Sequence, residues 1–155
     1  VSRGLGDVYK RQYDQWKTMS VDGKWRFTSP THVVLAFAKA LEELKEEGGI
    51  PARAKRYEEN NRLLIEKMKE FGIQPYIDAE HQGTIITTFF YPDSHDFSFA
   101  EMYEFIKERG YAIYPGKVTE ADTFRIGNIG EIYREDILRL VEIFREFFKL
   151  HGMEV

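Results

Sequence analysis

The strongest constraint on the fold is a set of short β-rich runs placed between amphipathic helical patterns. Residues 83–91 (GTIITTFFY) are largely β-branched or aromatic and end at a proline, which predicts a strand. Two shorter runs, 111–114 and 123–126, flank a polar loop that starts with a Pro-Gly pair. The run 73–77 contains Pro75, which predicts an edge strand. Because 83–91 is apolar or Thr-lined on both faces, we expect it to be central.

Apolar residues recur at helical spacing in four segments around these runs. The stripes cover residues 30–47, 51–71, 98–110 and 134–150, and a glycine ends or follows each of them. After the long first helix, the order of elements predicts a compact α+β unit. Its sheet is expected to be mostly antiparallel with helices on one face. No segment remains to cover the other face.

Composition limits the possible functions. The chain has 155 residues, a formal net charge of -4 and no cysteine, which argues against a nucleic-acid partner and excludes disulfides and thiolate metal sites. No apolar run approaches ~20 residues, so no membrane span is predicted. A cytoplasmic location is compatible with these features. Residues 1–12 have no apolar periodicity and resemble a translated adapter remnant, so they are not expected to contribute to a core.

Arg125 is the most unusual residue of the predicted strands. It interrupts the apolar run 123–126, and glycines follow at Gly127 and Gly130. A charge in a strand core costs several kcal/mol unless it is paired. One interpretation is a solvent-facing or ion-paired arginine. The other is a guanidinium that binds a carboxylate or phosphonate in a planar fork.

A second candidate anion site lies at the start of the long helix. Pro30 can occupy the first helical position, and Thr28, Ser29 and Thr31 supply hydroxyls beside backbone N–H groups that favour an anion. Ordinary capping by Ser29 is the alternative.

The residues alone give no complete catalytic set. The four histidines lack metal-ligand spacing, and no nucleophile elbow, P-loop or dinucleotide-binding glycine motif is present. Lys117 lies in a polar loop, where nothing predicts the desolvation that a Schiff-base lysine needs.

Four blocks of sequence resemble a known enzyme family. They are residues 23–41 (GKWRFTSPTHVVLAFAKAL), 46–60 (EEGGIPAR with a following RY and N), 110–118 (GYAIYPGKV) and 124–133 (FRIGNIGEIY). Together they closely resemble the 2-aminoethylphosphonate–pyruvate transaminases, which are class V pyridoxal-phosphate aminotransferases of fold type I. The resemblance extends over about residues 13–149.

The resemblance implies the domain organisation. Residues 13–47 would be the end of the large domain with its linking helix, and 48–155 the small C-terminal α+β domain. The chain would thus be a C-terminal fragment. The Schiff-base lysine and the aspartate that pairs with the pyridine nitrogen of the cofactor would lie upstream, and Lys117 does not match that lysine. Alone, the fragment would be inactive, and would fold poorly or self-associate.

The resemblance also implies site residues and partners. Arg125 matches the arginine that binds the substrate carboxylate, and Thr28 matches a threonine that reaches the cofactor phosphate of the neighbouring subunit. Trp25 matches an aromatic position near that phosphate. The expected cofactor is pyridoxal 5'-phosphate, and the expected partner is a second identical subunit. The substrates would be 2-aminoethylphosphonate and pyruvate, giving phosphonoacetaldehyde and alanine.

Two other functions stay open at this point. The first is a stand-alone α+β module that binds small anions without a cofactor. The second is a related transaminase with another substrate, such as alanine–glyoxylate.

Overall fold

Two helices make up the first part of the chain. The computed structural model describes residues 5–94, 97–116 and 121–153. Helix α1 spans Leu5–Asp22, and α2 spans Thr31–Glu46. The chain divides into two units, Val1–Glu46 and Glu47–Val155. We describe each unit by itself.

Helix α1 is longer than the sequence pattern predicts. Residues 13–19, with Tyr13 and Trp16 three apart, predict only a short helical turn, yet the helix already begins at Leu5. That prediction is wrong because it required an apolar repeat. Helical backbone also forms over residues of moderate propensity that show no repeat. Whether 1–12 is a non-native remnant stays a prediction.

The described residues of the second unit form three helices and three strands. In chain order these elements are α3 Gly49–Glu70, β1 Ile86–Phe90, α4 Phe99–Glu108, β2 Tyr114–Pro115, β3 Thr123–Gly127 and α5 Arg134–Leu150. Ser98 caps α4, since its hydroxyl accepts from the Glu101 amide at 3.4 Å. At the start of α5 the contact runs in the other direction along the chain. The carboxylate of Asp136, inside the helix, accepts from the amide of the cap residue Tyr133 at 2.8 Å.

The sheet is antiparallel with the order β1-β3-β2. Strand β3 is therefore the middle of the three strands. Strand β1, which was expected to be central, is an end strand of this sheet, although residues 74–76 hydrogen-bond to its other side. Beyond β1, the predicted edge strand at 73–77 is reduced to one bridge between Pro75 and Phe89. Hydrogen bonds flank this bridge, from Tyr76 N to Thr88 O at 2.8 Å and from Phe90 N to Gln74 O at 3.0 Å. The nitrogen of Pro75 therefore faces away from β1, which is the position that an edge proline tolerates.

The core lies on one face of the sheet. Phe89 of β1 and Phe124 of β3 are Cα partners with ring centroids 5.7 Å apart, and both are fully buried. Phe144 of α5 packs near Phe124, with the tilted rings 6.1 Å apart between centroids. Helices α3, α4 and α5 all contribute buried side chains to this cluster. The fold class predicted from the sequence, an α+β unit with helices on one face, is confirmed.

The other face of the sheet is open. Side chains alternate along β1, so that Thr87 and Phe89 are buried while Ile86 and Phe90 are 43% and 40% exposed. Tyr114 on β2 is 56% exposed. Arg125 belongs to this face, because it lies between the core residues Phe124 and Ile126 along β3.

Candidate functional site

Arg125 occupies the centre of the open sheet face. Its Cα partners are Thr88 on β1 and Tyr114 on β2. The carbonyl oxygen of Thr88 accepts from Tyr76 N at 2.8 Å. The backbone polar groups of Thr88 therefore point away from β3. Thr88 and Arg125 thus form a non-hydrogen-bonded pair, in which side chains lie closest. Arg125 is half-buried among these neighbours.

The guanidinium of Arg125 has one protein partner among the described residues. Its Nε donates to the Pro115 carbonyl oxygen at 3.3 Å. Within the described residues, no carboxylate makes an ion pair with it. The terminal nitrogens Nη1 and Nη2 remain available, and a half-buried arginine of this kind favours a bidentate anion.

A buried polar network fixes the segment that follows β3. Asn128 is fully buried, and its side-chain amide donates to Tyr57 O at 3.1 Å and Thr84 O at 2.9 Å. Asn61 on α3 donates to Thr87 Oγ1 at 2.8 Å and to Asn128 Oδ1 at 3.4 Å. Because unpaired buried amides cost about 1–3 kcal/mol each, this network ties the end of β3 to α3 and β1 in one register.

Arg56 extends that attachment along the next turn. Its Nη1 donates to Gly130 O at 2.9 Å and Ile132 O at 2.8 Å, while its Nε binds a Glu47 carboxylate oxygen at 2.6 Å. The other carboxylate oxygen of Glu47 receives Arg53 Nε at 2.6 Å. The hydrogen bond from Arg56, followed by that from Arg53, lowers the pKa of Glu47, and the same pairing raises the pKa of Arg56.

Sequence reasoning missed this attachment. Arg53 and Arg56 lie in a helix segment of mixed charge that predicts a solvated face, and the structure contradicts that prediction for both. Their spacing of three residues places them on one side of α3. An acidic residue, Glu47, lies just before the paired glycines Gly48 and Gly49. This residue and the three-residue spacing of the arginines are the sequence signal that could have indicated the ion pairs.

Trp25 and Thr28 lie in the connection between α1 and α2. Arg26 of this connection pairs with Asp14 at 3.2 Å, and its amide donates to the side chain of Gln15 at 3.3 Å. Trp25 is 37% exposed and lines an apolar groove of about 510 Å³ with α1 residues that include Trp16.

The entry to α2 presents exposed hydroxyls beside the first N–H groups of the helix. Thr28 is exposed, and Thr31 Oγ1 lies 3.4 Å from Ser29 Oγ. No acidic residue is present in the first turn of α2. Hydroxyls next to free helix N–H groups, with no carboxylate among them, fit the phosphate group of pyridoxal phosphate.

The predicted site residues fall in both units. Trp25 and Thr28 share one connection in the first unit, and Arg125 belongs to the second. Lys117 lies outside the described residues. Over 5–94, 97–116 and 121–153, no group of three or more His, Cys, Asp or Glu side chains is arranged to hold a metal ion. In the same ranges, no helix combines the length and apolarity required to cross a bilayer.

A cavity of about 450 Å³ lies beside the end of β3. Ile126, Gly127 and Glu131 line it together with the start of α5. Tyr111, also in the lining, donates its hydroxyl to Asp136 O at 3.1 Å, and burial raises the pKa of this phenol. Arg125 does not line this cavity, because it belongs to the opposite sheet face from Ile126.

Solved structures define the class of this fold. The ureidoglycine–glyoxylate aminotransferase of Bacillus subtilis superposes with a TM-score of 0.74 at 17% identity. The match covers 93% of this chain and 36% of the aminotransferase. An aspartate aminotransferase from Thermus thermophilus gives 0.70 at 24% identity, covering 96% and 40%. The fold is therefore that of part of a fold type I aminotransferase.

Curated sequences give closer relatives. The chain is 54% identical over 142 residues to a 2-aminoethylphosphonate–pyruvate transaminase of Lysinibacillus sphaericus, which is 92% of this chain and 38% of the relative. The Bacteroides fragilis transaminase of the same name is 56% identical over 135 residues, or 86% and 37%. No family model matches the chain. The predicted resemblance to these transaminases is confirmed, and the chain spans a little over a third of their length.

Proposed function

We propose that this chain is part of a pyridoxal-phosphate-dependent transaminase that transfers the amino group of 2-aminoethylphosphonate to pyruvate. The supporting observation is the 54% identity over 92% of the chain to a protein of that name. The products would be phosphonoacetaldehyde and alanine. Residues 13–47 would complete the large domain and 48–155 would form the small one. The enzyme would act in the cytoplasm as a homodimer.

Arg125 would bind the acidic group of each substrate. Pyruvate presents a carboxylate and 2-aminoethylphosphonate a phosphonate, and both offer paired oxygens of the same charge sign to a planar fork. A charge-assisted hydrogen bond contributes about 1.5–3 kcal/mol. The half-buried position of Arg125 would strengthen the contact further, because the local dielectric is lower than in water. In this proposal the substrate supplies the charge that no described residue supplies.

Thr28 and Trp25 would hold the cofactor. The Thr28 hydroxyl and the first N–H groups of α2 would donate to the phosphate of a pyridoxal phosphate bound in the neighbouring subunit, with Trp25 packed beside it. When bound, the cofactor withdraws electrons from the substrate's amino-bearing carbon, which is the chemistry of transamination. This chain's own residues would orient the phosphate and the substrate acid.

A chimaeric enzyme tests the proposal. The matching segment of the L. sphaericus transaminase is replaced by this chain, and alanine formation from 2-aminoethylphosphonate and pyruvate is measured against the parent enzyme. We expect activity with this substrate pair and less with alanine–glyoxylate. A folded, cofactor-binding chimaera without activity on the pair would refute the proposal.

The charge-conserving variant Arg125→Lys tests the substrate role in that chimaera. Lysine keeps the charge but loses the fork, so we expect kcat/KM to fall about ten- to hundredfold for both substrates. Arg62→Lys, on an exposed position of α3, is the matched control and should change nothing. Full activity of Arg125→Lys with both substrates would show that another group binds the acid.

A further inference from the structure

Gly116, the residue after β2, lies closer to β3 than any side chain would permit. Its amide donates to the Thr123 carbonyl oxygen at 2.7 Å. A Cβ at this position would overlap Thr123 Oγ1 and would lie 2.6 Å from the Thr123 carbonyl oxygen. The requirement for glycine is steric, because Gly116 is not one of the glycines with a positive φ. Backbone contact of this kind is not relieved by rotating a side chain.

This close approach positions the carbonyl that Arg125 uses. Pro115 precedes Gly116 and ends β2, and its oxygen accepts from Arg125 Nε at 3.3 Å. With Nε engaged, an anion must approach the guanidinium end-on, at Nη1 and Nη2. The backbone at 115–116 therefore sets the direction in which Arg125 presents its fork.

We propose that Gly116 is a positioning residue for substrate binding, which acts through Pro115 and Arg125. The inference rests on the proposed transaminase function. By allowing β2 to lie against β3, Gly116 places the Pro115 carbonyl where it holds Nε and aims the two terminal nitrogens at the substrate acid. Any side chain at 116 displaces β2, and Arg125 then keeps its charge but loses its orientation.

The test uses Gly116→Ala in the chimaeric enzyme. We expect KM for 2-aminoethylphosphonate and for pyruvate to rise about tenfold, with kcat and the cofactor absorbance little changed. Gly83→Ala is the matched control, since an added Cβ at Gly83 meets no atom within 4 Å. That variant should retain the parental KM values.

A double-mutant cycle separates positioning from general loss of structure. In an Arg125→Lys background the fork is already absent, so Gly116→Ala should raise KM no further. Independent effects that multiply would overturn the inference. An inactive unsubstituted chimaera would instead contradict the proposed function, so the two failures are distinguishable.

The unsubstituted chain provides a test that does not depend on the Gly116→Ala variant folding. Hydrogen exchange of arginine Nε–H groups is followed by NMR, with Arg62 as reference because it makes no hydrogen bond among the described residues. The Nε–H of Arg125 should exchange about tenfold more slowly, since it is bonded to Pro115. Equal exchange rates at Arg125 and Arg62 would remove the orienting contact and with it the proposal.

Discussion

Helices α2 and α5 have similar lengths and both carry apolar stripes, but they differ completely in burial. Helix α5 buries seven residues, which are Ile137, Leu140, Val141, Ile143, Phe144, Phe147 and Phe148. Helix α2 buries none, and its stripe is exposed at Val33, Val34, Leu35, Phe37 and Leu41. An amphipathic pattern thus shows that a helix has a face suited to burial, without showing where the covering residues are.

The difference extends to the two units. The second unit has its own core, in which α3, α4 and α5 pack on the sheet. Within the described residues of the first unit, large side chains such as Trp16 and Phe27 are 64% and 76% exposed. Exposed apolar area of this extent is typical of an interaction surface. The second unit is therefore expected to hold its structure more strongly than the first.

Amide hydrogen exchange should show the largest contrast. Core amides of α5 exchange only when the second unit unfolds, and a stability of about 5 kcal/mol slows them by roughly 10³–10⁴. Amides of α2 lack tertiary protection, and a helix of this length is marginal by itself. Mass spectrometry of peptides from Thr31–Glu46 and Arg134–Leu150 measures both.

Equal protection of the two helices would break the comparison. It would mean that another copy of the chain or another segment covers α2 in solution. Repeating the exchange at tenfold lower protein concentration is the control, because protection that arises from self-association would then fall.

A pair of phenylalanine substitutions sharpens the contrast at the level of single side chains. Phe144→Ala removes a fully buried ring from α5 and should lower the free energy of unfolding by about 3–5 kcal/mol. Phe37→Ala in α2, where the ring is 64% exposed, should change it by no more than about 0.5 kcal/mol. Urea unfolding followed by circular dichroism compares them. A large loss for Phe37→Ala would show that its ring is covered.

Sequence patterns predicted the elements whose partners lie in the same unit. The stripe of α5 and its extent, about 134–150, are confirmed, as is the antiparallel arrangement around β3. These succeed because the residues that cover each stripe lie in the same unit, so the face that the hydrophobic period predicts is buried there. Arg125 was selected for a similar reason, since a charge within an apolar strand departs from that period. Its binding role stays a prediction.

What the sequence did not predict depends on polar contacts between distant residues. Asn61 and Asn128 are 67 positions apart, and their hydrogen bond has no periodic signal. Gly116 looked like an ordinary loop glycine, because its requirement arises from the backbone of Thr123 across the sheet. Contacts of this type need coordinates, since neither hydropathy nor propensity encodes which polar groups meet.

The smallest expected effect concerns Glu47, the first residue of the second unit. Hydrogen bonds from Arg56 and Arg53 lower its pKa in the folded state below the ordinary value of 4.5. Its contribution to stability is therefore complete above that ordinary value, and is lost as the pH falls through the lowered folded pKa. Glu47→Gln should slightly reduce stability at neutral pH and flatten the stability profile between about pH 5 and the acid limit.

Urea unfolding at a series of pH values measures that profile. Glu66→Gln is the matched control, because Glu66 is exposed on α3, the helix that carries Arg53 and Arg56, and makes no ion pair among the described residues. It should leave the acid slope unchanged. If Glu47→Gln had the same slope as the unsubstituted chain, Arg56 would hold the segment after β3 through the carbonyls of Gly130 and Ile132 alone. Attachment of the linking segment at Glu47 would then add nothing to the stability of the second unit.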